Sequence, residues 1–335
     1  MKEAYFYNKL EDGRVECLLC PHYCKLNNEQ YGICNSRKNI NGTLIATSYG
    51  NICAVGIDPV EKKPLMQFLP GTKTYSISSA GCNFRCLHCQ NDSISQYSPE
   101  ERTSFEMTPE QVVQAAIEND CRSISYTYTE PTTFYEFMID TAKLANSKGL
   151  KNICVSNGYI NEDPLRELCK YVNAFNIDLK YFDDNTYKKV SKGTLDPILK
   201  TLEIIKENMC WLEITNLIIP DINDDEHLIK QMCKWLGENG FGNYPLHFSR
   251  FYPKYKMMEK SWTPMDIMFI AYEIAKEEGI KHVYLGNVPD DYVGDVICPS
   301  CGKNVIERDG YKLVENNIGL MGRCNYCGNQ VDGVF

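Results

Sequence analysis

From residue 73 onward, β-rich runs alternate with helical patterns, and this alternation restricts the possible fold more than any other feature of the sequence. The β-rich runs cover residues 74–79, 123–127, 152–156, 174–178, 211–218, 245–251 and 282–286. Strand, helix and strand repeated at this pace predict right-handed βαβ crossovers and a parallel sheet. The alternation permits either an open (β/α) barrel or a doubly wound sheet. In both folds, catalytic residues lie at the carboxyl ends of the strands.

Proline marks the predicted starts of four helices. In each, a polar residue that can cap the helix precedes a proline at the first helical position, where no intrahelical N–H bond is needed. The pairs are Thr108-Pro109, Asp163-Pro164, Asp196-Pro197 and Thr263-Pro264. Gln111 completes a capping box at the first pair, and Gly149 is expected to end a helix over residues 133–148.

Three cysteines with the spacing C-x3-C-x2-C directly follow the first predicted strand. They are Cys82, Cys86 and Cys89. Three thiolates can hold three irons of a cubane cluster, and the fourth iron then remains open to a substrate or cofactor. The alternatives are a zinc knuckle or a set of buried thiols. Three close cysteines without a nearby fourth ligand make a poor zinc site, so a cluster is the better interpretation.

A second cysteine group lies near the amino end. It comprises Cys17, Cys20, Cys24 and Cys34. The segment is interrupted by Pro21 and Gly32, and it has too little apolar content to fold without a metal. Four thiolates suit zinc, which is slightly favoured, but the same spacing would also hold an auxiliary iron–sulfur cluster.

A third group, near the carboxyl end, consists of two C-x2-C pairs that are each followed by glycine. These are Cys298 with Cys301 and Cys324 with Cys327. Paired knuckles of this kind are typical of zinc ribbons, and the intervening residues contain strand-like runs. The sequence therefore predicts a structural zinc site here, in preference to an iron–sulfur cluster.

Composition excludes several classes of protein. The chain has 17 cysteines in 335 residues, and no apolar run is long enough to span a bilayer. The first residues mix both signs of charge and resemble no secretory signal, so we expect a cytoplasmic protein whose clustered cysteines bind metal. A formal charge of −9 argues against nucleic acid as the main partner. A non-catalytic nucleic-acid module, suggested by the zinc ribbon, is the alternative function.

The cysteine loop, with Phe84 and His88 between its cysteines, resembles that of the radical S-adenosylmethionine (SAM) superfamily. The resemblance implies a [4Fe-4S] cluster whose open iron binds SAM, and reductive cleavage of SAM to a 5′-deoxyadenosyl radical. It implies an α/β fold with a partial (β/α)6 barrel and four-cysteine metal-binding segments at both ends. The corresponding regions are residues 1–50, 51–290 and 291–335.

Polar residues at the predicted strand ends are the candidate cofactor ligands. They are Thr129, Glu130, Ser156, Asn157, Asp178 and Lys180. The resemblance places Glu130 at the element that receives the amino group of SAM, Asn157 in the Thr-Asn-Gly of pyruvate formate-lyase activating enzymes, and Lys180 at the SAM carboxylate. A helix-terminal charge, an Asn-Gly turn and a buried ion pair are the respective structural alternatives. Val155 replaces the aspartate of that family.

Together with residues 58–71, 245–253 and both outer cysteine groups, these motifs resemble the radical SAM member of the AmmeMemoRadiSam system. That resemblance makes residues 58–71 an active-site wall, although Gln67 stands where the family often has histidine. It implies Memo-type and AMMECR-type partners beside a low-potential electron donor of flavodoxin or ferredoxin type. His247 is the candidate proton donor on the substrate side, and a core histidine with satisfied hydrogen bonds is the structural alternative. Asp178 is expected to orient Lys180 or to hold a cation. The hydrogen donor is either a partner protein or a small molecule.

Overall fold

An eight-stranded sheet forms the centre of the computed structural model, which describes residues 2–102, 105–289 and 294–335. The strands are β1 (Ala54–Pro59), β2 (Lys73–Ser78), β3 (Ser123–Tyr126), β4 (Lys151–Ser156), β5 (Ala174–Asp178), β6 (Trp211–Ile218), β7 (Leu246–Arg250) and β8 (Val283–Gly286). Strands β2 to β8 are parallel, and β1 pairs antiparallel with β2 at one edge. All seven predicted strands are confirmed to within one residue at either end.

One helix of at least eight residues follows each of the strands β2 to β7 in the described chain, and shorter helical turns also follow β2, β3 and β5. The helices are α1 (Pro109–Glu118), α2 (Tyr135–Ser147), α3 (Glu162–Cys169), α4 (Asp196–Glu207), α5 (Glu226–Glu238) and α6 (Met265–Glu277). The capping box between Thr108 and Gln111 is present, and Gly149 follows α2 with a φ of +79°.

The other three predicted helix starts are displaced by one or two residues. Helix α3 begins at Glu162, before the predicted cap Asp163, and α4 begins at Asp196 itself. Helix α6 begins at Met265, after Pro264. Proline fits anywhere in the first turn because the first four N–H groups of a helix have no intrahelical partner. A proline therefore locates a helix start only to within one turn.

The strand order in the sheet follows the order in the chain without a reversal. A doubly wound sheet reverses its order at a switch point, so this sheet differs from that alternative. Right-handed crossovers that all advance in one direction place their helices on one face of the sheet. The result is an α/β fold in which the carboxyl ends of the parallel strands meet at one edge.

The three prolines among residues 57–71 predict an irregular segment, and this prediction is wrong at its start. Asp58 and Pro59 belong to β1, and the irregular part begins with a 3-10 turn at Val60–Lys62. The strand is possible because β1 is an edge strand, where proline needs no ladder hydrogen bond on its outer side.

Small antiparallel sheets flank the central one. Before β1 the short strands are Lys2–Glu3, Tyr7–Lys9, Val15–Cys17, Lys25–Leu26, Arg37–Ile40, Thr43–Ala46 and Asn51–Ile52, and the last pairs with Phe105–Glu106. After β8 the strands are Val296–Ile297, Asn304–Asp309, Lys312–Asn316, Ile318–Gly319 and Arg323–Cys324. We call residues 294–335 the ribbon. The predicted boundary between residues 290 and 291 lies outside the described residues. Within the described chain, none of the helices has the length and apolar character needed to cross a bilayer.

Candidate active site

A cavity of about 380 Å³ opens at the carboxyl ends of the parallel strands. It is lined by all the residues that the sequence assigned to the cluster, to SAM and to the substrate side. These are Cys82, Phe84, Cys86, His88, Cys89, Thr129, Glu130, Ser156, Asn157, Asp178, Lys180 and His247. A larger groove of about 970 Å³, between α6 and the ribbon, contains none of them. The smaller cavity is therefore the candidate active site.

Each thiol of the cysteine loop has a polar neighbour close to its sulfur. Phe84 N donates to Cys82 Sγ at 3.4 Å, Cys86 Sγ donates to Ser191 Oγ at 3.1 Å, and Ser95 Oγ lies 3.1 Å from Cys89 Sγ; both serine hydroxyls could donate to a thiolate. Hydrogen-bond donors next to sulfur favour the thiolate that a metal requires. Asn157 adds its side-chain amide at 3.9 Å from Cys82 Sγ. This donor set suits an iron–sulfur cluster.

Phe84 and His88 hold the loop in place from two sides. Phe84 is buried against Tyr159, and a Cβ on Gly193 would lie 2.4 Å from its ring. His88 Nε2 lies 2.7 Å from the hydroxyl of Tyr181. Burial lowers the pKa of His88 to about 3, so the ring is neutral. Both aromatic residues therefore position the cysteines by packing, although they also line the cavity.

Glu130 joins the ends of β3 and β4. Its carboxylate accepts hydrogen bonds from Thr132 N, Thr132 Oγ1 and Ser156 Oγ at 2.7–3.0 Å, and from Asn157 N at 2.8 Å. Burial raises the pKa of Glu130 despite these bonds. Thr129 joins β3 to β2 instead, because its hydroxyl donates to Ser79 O at 2.6 Å. Three of the four donors to Glu130 reach one oxygen, which leaves Oε2 with capacity for another.

Lys180 and Asp178 form an ion pair inside the cavity, with Nζ and Oδ2 2.7 Å apart. Burial opposes the charge on Lys180, but Asp178 and the thiol of Cys86 outweigh it and raise the pKa of Lys180. Lys180 is thus a cation beside the cysteine loop. Asp178 remains about one third exposed, at 31% of its side chain.

His247 is oriented by Glu213 on the neighbouring strand β6. His247 Nε2 donates to Glu213 Oε2 at 2.6 Å, and both side chains are buried. Glu213 also accepts from Met66 N and Gln67 N at 2.9 Å and from the indole of Trp211 at 3.0 Å. Burial alone would raise the pKa of Glu213, but the hydrogen bonds, that of His247 foremost, lower it. Glu213 is a buried carboxylate that anchors both the histidine and residues 66–67.

A second buried ion pair, missed in the sequence, borders the same cavity. Lys63 Nζ lies 2.6 Å from Asp58 Oδ2, which also accepts from Tyr128 OH at 2.8 Å and Ser76 Oγ at 3.1 Å. The ion pair could not be predicted from composition, because a charged run such as Glu61, Lys62 and Lys63 is typical of a solvated surface. Tyr128 has a φ of +66°, which is uncommon for an aromatic residue, and its position has no signal in a single sequence.

Residues 58–71, which we call the wall, line the cavity opposite the cysteine loop. Glu61, Lys62, Lys63, Pro64 and Met66 contribute to the lining. Gln67 does not. It is fully buried, and its amide donates to Asp332 O at 3.0 Å in the ribbon. Position 67, at which the resemblance to the AmmeMemoRadiSam family often leads to the expectation of histidine, therefore faces the ribbon.

The four carboxyl-terminal cysteines come together in the ribbon. Cys298 and Cys327 have sulfurs 3.7 Å apart, and the sulfurs of Cys301 and Cys324 are 3.8 Å apart. All four sulfurs lie within 4.8 Å of one another. An ion with bonds of about 2.3 Å to four sulfurs has edges of about 3.8 Å between them. This four-cysteine group could therefore hold one tetrahedral metal ion.

The ribbon packs directly on the wall. Arg308 donates to Met66 O at 2.6 Å, and its Nε lies 3.5 Å from Glu61 Oε1 with both side chains fully buried. Val334 N donates to Gln67 O at 2.8 Å, and Val334 O accepts from Leu69 N at 2.7 Å. Tyr311 of the ribbon lines the active-site cavity. The ribbon is thus part of the structure that shapes the site.

The amino-terminal cysteines lie apart from this cavity. Cys17, Cys20, Cys24 and Cys34 line a separate small cavity together with Asn83 of the cysteine loop. His22 Nε2 lies 2.8 Å from Asn83 O, so the segment packs against that loop. His22 is next to the four thiols but is engaged elsewhere.

Comparison with known proteins agrees with this site. Residues 76–235 match the radical SAM superfamily. An uncharacterized protein of Methanocaldococcus jannaschii is 45% identical over 100% of both chains. The pyruvate formate-lyase-activating enzyme of Clostridium pasteurianum is 26% identical over 49% of this chain and 69% of its own. Streptococcus suis SuiB bound to its precursor peptide SuiA shares the fold, with a TM-score of 0.52 at 14% identity over 69% of this chain and 52% of that one. The chain belongs to the radical SAM superfamily and is related to pyruvate formate-lyase-activating enzymes.

Proposed function

We propose that this protein is an enzyme that reductively cleaves SAM and uses the resulting radical to abstract a hydrogen atom. One observation carries the proposal: the three thiols of the cysteine loop share a single cavity with Glu130, Asn157 and Lys180. Membership of the superfamily implies a [4Fe-4S] cluster and SAM. When bound, they would supply one-electron cleavage of SAM to a 5′-deoxyadenosyl radical.

The residues of the chain bind and orient these groups. Cys82, Cys86 and Cys89 would hold the cluster, and Asn157 would donate toward the sulfur of Cys82. Lys180 is a largely buried cation beside Cys86 and would bind the carboxylate of SAM. Asp178 would orient the ammonium group of Lys180. The free capacity of Glu130 Oε2 suits the amino group of SAM. The burial of these side chains keeps water away from the reacting atoms.

The substrate side of the cavity is formed by the wall and His247. Its hydrogen bond to Glu213 fixes the ring, so His247 could exchange a proton with a substrate through its other nitrogen. The likeness to pyruvate formate-lyase-activating enzymes supports a partner protein as the hydrogen donor. A small-molecule substrate, with Memo-type and AMMECR-type proteins acting downstream in an AmmeMemoRadiSam system, is the other subtype.

We further propose that the sheet curves into a partial (β/α)6 barrel, that residues 1–50 and 291–335 are metal-binding segments, and that the carboxyl-terminal metal is zinc. The unreversed strand order and the six strand–helix units support the barrel. The spacing of the four sulfurs supports zinc. Because the ribbon packs on the wall, an enzymatic role fits it better than nucleic-acid binding. Reduction would come from a flavodoxin or ferredoxin type of protein in the cytoplasm.

Anaerobic turnover with dithionite tests the function. The reconstituted protein should convert SAM to 5′-deoxyadenosine and methionine, with candidate partner proteins or small molecules added. An organic radical detected by EPR in a partner protein would select the activating subtype. The enzymatic proposal fails if no 5′-deoxyadenosine forms while the cluster is intact and reducible.

Lys180→Met is expected to weaken SAM binding about 10- to 100-fold, because a charge-assisted hydrogen bond of about 1.5–3 kcal/mol is lost. The measurement is equilibrium binding of SAM to the anaerobic protein, together with its iron content, which should not change. Lys189→Met is the matched control, since Lys189 is exposed two residues beyond Tyr187. Unaltered SAM affinity in Lys180→Met would remove Lys180 from the SAM site.

Loss of the carboxyl-terminal metal should reduce SAM cleavage by up to about 100-fold, because a displaced wall misplaces the bound substrates by about 1 Å or more. The combined substitution Cys301→Ser and Cys327→Ser removes two ligands that are exposed at the surface. Zinc content and the rate of 5′-deoxyadenosine formation are the two measurements. Ser300→Ala, on the same knuckle, should change neither. Full activity without zinc would show that the wall holds its position unaided.

A further inference from the structure

A buried arginine near the amino-terminal cysteines indicates what kind of metal centre these cysteines bind. Arg37 is 1% exposed and lines the same cavity as Cys17, Cys20, Cys24 and Cys34. Its Nη2 donates to both oxygens of Glu136, at 2.6 and 2.7 Å. Its Nε and Nη1 have no hydrogen-bond partner among the described residues. Buried N–H groups are rarely left without an acceptor, so these two require one.

The four thiols line the same cavity as these N–H groups. The guanidinium of Arg37 interacts electrostatically with the thiols of Cys17 and Cys34. Metal-bound thiolates and inorganic sulfides carry negative charge and accept hydrogen bonds from such donors. Glu136 neutralises the charge of Arg37. Both of its bonds are made by Nη2, so Nε and Nη1 remain available to the cavity. The arrangement suits an anionic metal centre.

The spacing of the thiols distinguishes between a single ion and a cluster. In the described chain, the carboxyl-terminal cysteines are the only group whose ligand atoms all lie within 4.8 Å of one another. No three of the amino-terminal thiols are that close, and neither are Cys82, Cys86 and Cys89. Even so, a Cβ on Gly32 would lie 3.7 Å from both Cys24 Sγ and Cys34 Sγ. In a cubane, each cysteine binds a different iron, so the cysteine sulfurs lie farther apart than four cysteine sulfurs around a single ion.

We propose that Cys17, Cys20, Cys24 and Cys34 hold a second iron–sulfur cluster and that Arg37 donates hydrogen bonds to its sulfur atoms. The proposed centre lies directly beside the loop that carries Cys82, Cys86 and Cys89. A Cβ on Gly81, which has a φ of +105°, would lie 2.5 Å from Cys34 O, and His22 contacts Asn83 O at 2.8 Å. Only glycine therefore allows the two cysteine-bearing loops to approach this closely.

Removal of the first cluster isolates the second. The full chain with Cys82→Ala, Cys86→Ala and Cys89→Ala is purified anaerobically and reconstituted with ferrous iron and sulfide. We expect about four iron and four sulfide per chain, beside the metal of the ribbon, and an EPR signal after reduction with dithionite. Adding Cys20→Ala and Cys34→Ala should remove this iron. Additional zinc in place of iron, or no metal at the amino-terminal thiols, would overturn the proposal.

The role of Arg37 is tested by the reduction potential of the isolated cluster. Arg37→Met combined with Glu136→Met removes the ion pair as a unit, so no buried charge is left unpaired. The net charge of the pair is unchanged, but the loss of two N–H donors should shift the potential to more negative values, because hydrogen bonds to the sulfur atoms stabilise the more negative, reduced cluster. Arg166→Met, at an exposed ion pair on α3, is the control that should leave the potential unchanged. An unchanged potential in the double variant would show that Arg37 does not donate to the cluster.

Discussion

Cys86→Ala should abolish the formation of 5′-deoxyadenosine, because two remaining thiolates cannot hold a cubane in the cavity. Cys86 is buried, its sulfur lies 3.1 Å from Ser191 Oγ, and it interacts electrostatically with Lys180. The iron content should fall by about four per chain relative to the parent protein. The measurements are chromatographic assay of 5′-deoxyadenosine under dithionite and iron analysis of the same sample.

Cys121→Ala is the matched control for this substitution. Cys121 is also buried, at 4% exposure, but it lies outside all three cysteine groups. Its replacement removes a small apolar side chain, so we expect retained iron and retained SAM cleavage. If Cys86→Ala still produced 5′-deoxyadenosine with the iron content of the parent, the assignment of the cysteine loop would be wrong.

Glu213→Ala is expected to lower the free energy of unfolding by about 3–5 kcal/mol, since it leaves several buried donors without an acceptor. Met66 N and Gln67 N lose their partner, so the wall should detach from β6. Hydrogen exchange of these two amides measures the local effect, and the midpoint of urea unfolding measures the global one. The amides should exchange slowly in the parent and rapidly in the variant. His247 should also lose its fixed orientation.

Glu238→Ala provides the comparison at an exposed carboxylate of α5, 3.7 Å from Lys234. A surface substitution of this kind should change stability by less than about 0.5 kcal/mol. Unchanged protection of the amides of Met66 and Gln67 in Glu213→Ala would mean that the ribbon alone holds the wall. Substitution of Arg308, which donates to Met66 O, would then become the decisive experiment.

Glu213 also bears on how substrate specificity arises in this chain. The carboxylate connects His247 on β7 with the wall, and the wall is bonded to the ribbon through Glu61, Met66 and Gln67. The substrate side of the cavity therefore depends on three regions that are far apart in the chain. We expect changes in the ribbon to alter substrate handling while the cluster remains intact.

The central sheet and the cysteine loop were predictable because their signals are local. The β-rich runs and the intervening helices follow from periodicity and proline placement, and the seven strands occur where these patterns predict them. The spacing of Cys82, Cys86 and Cys89 predicts a cluster loop because three thiols on one short segment can reach one metal centre almost regardless of the remaining chain. Polar residues at strand ends share an edge in any parallel sheet, so their meeting in one cavity was also expected.

The partners of buried charges were decided only by the tertiary structure. Lys63 and Asp58, Glu213 and His247, and Arg37 and Glu136 are each brought together by packing. A single sequence does not show which charged residues form ion pairs, because a residue type is the same whether its side chain is exposed or buried. The contact of the ribbon with the wall arises in the same way, through bonds between residues more than 200 positions apart. Thus the sequence by itself determined the α/β fold class and located the three cysteine groups, because both signals are local, whereas the other side chains that line the cavity are brought together only by the tertiary structure.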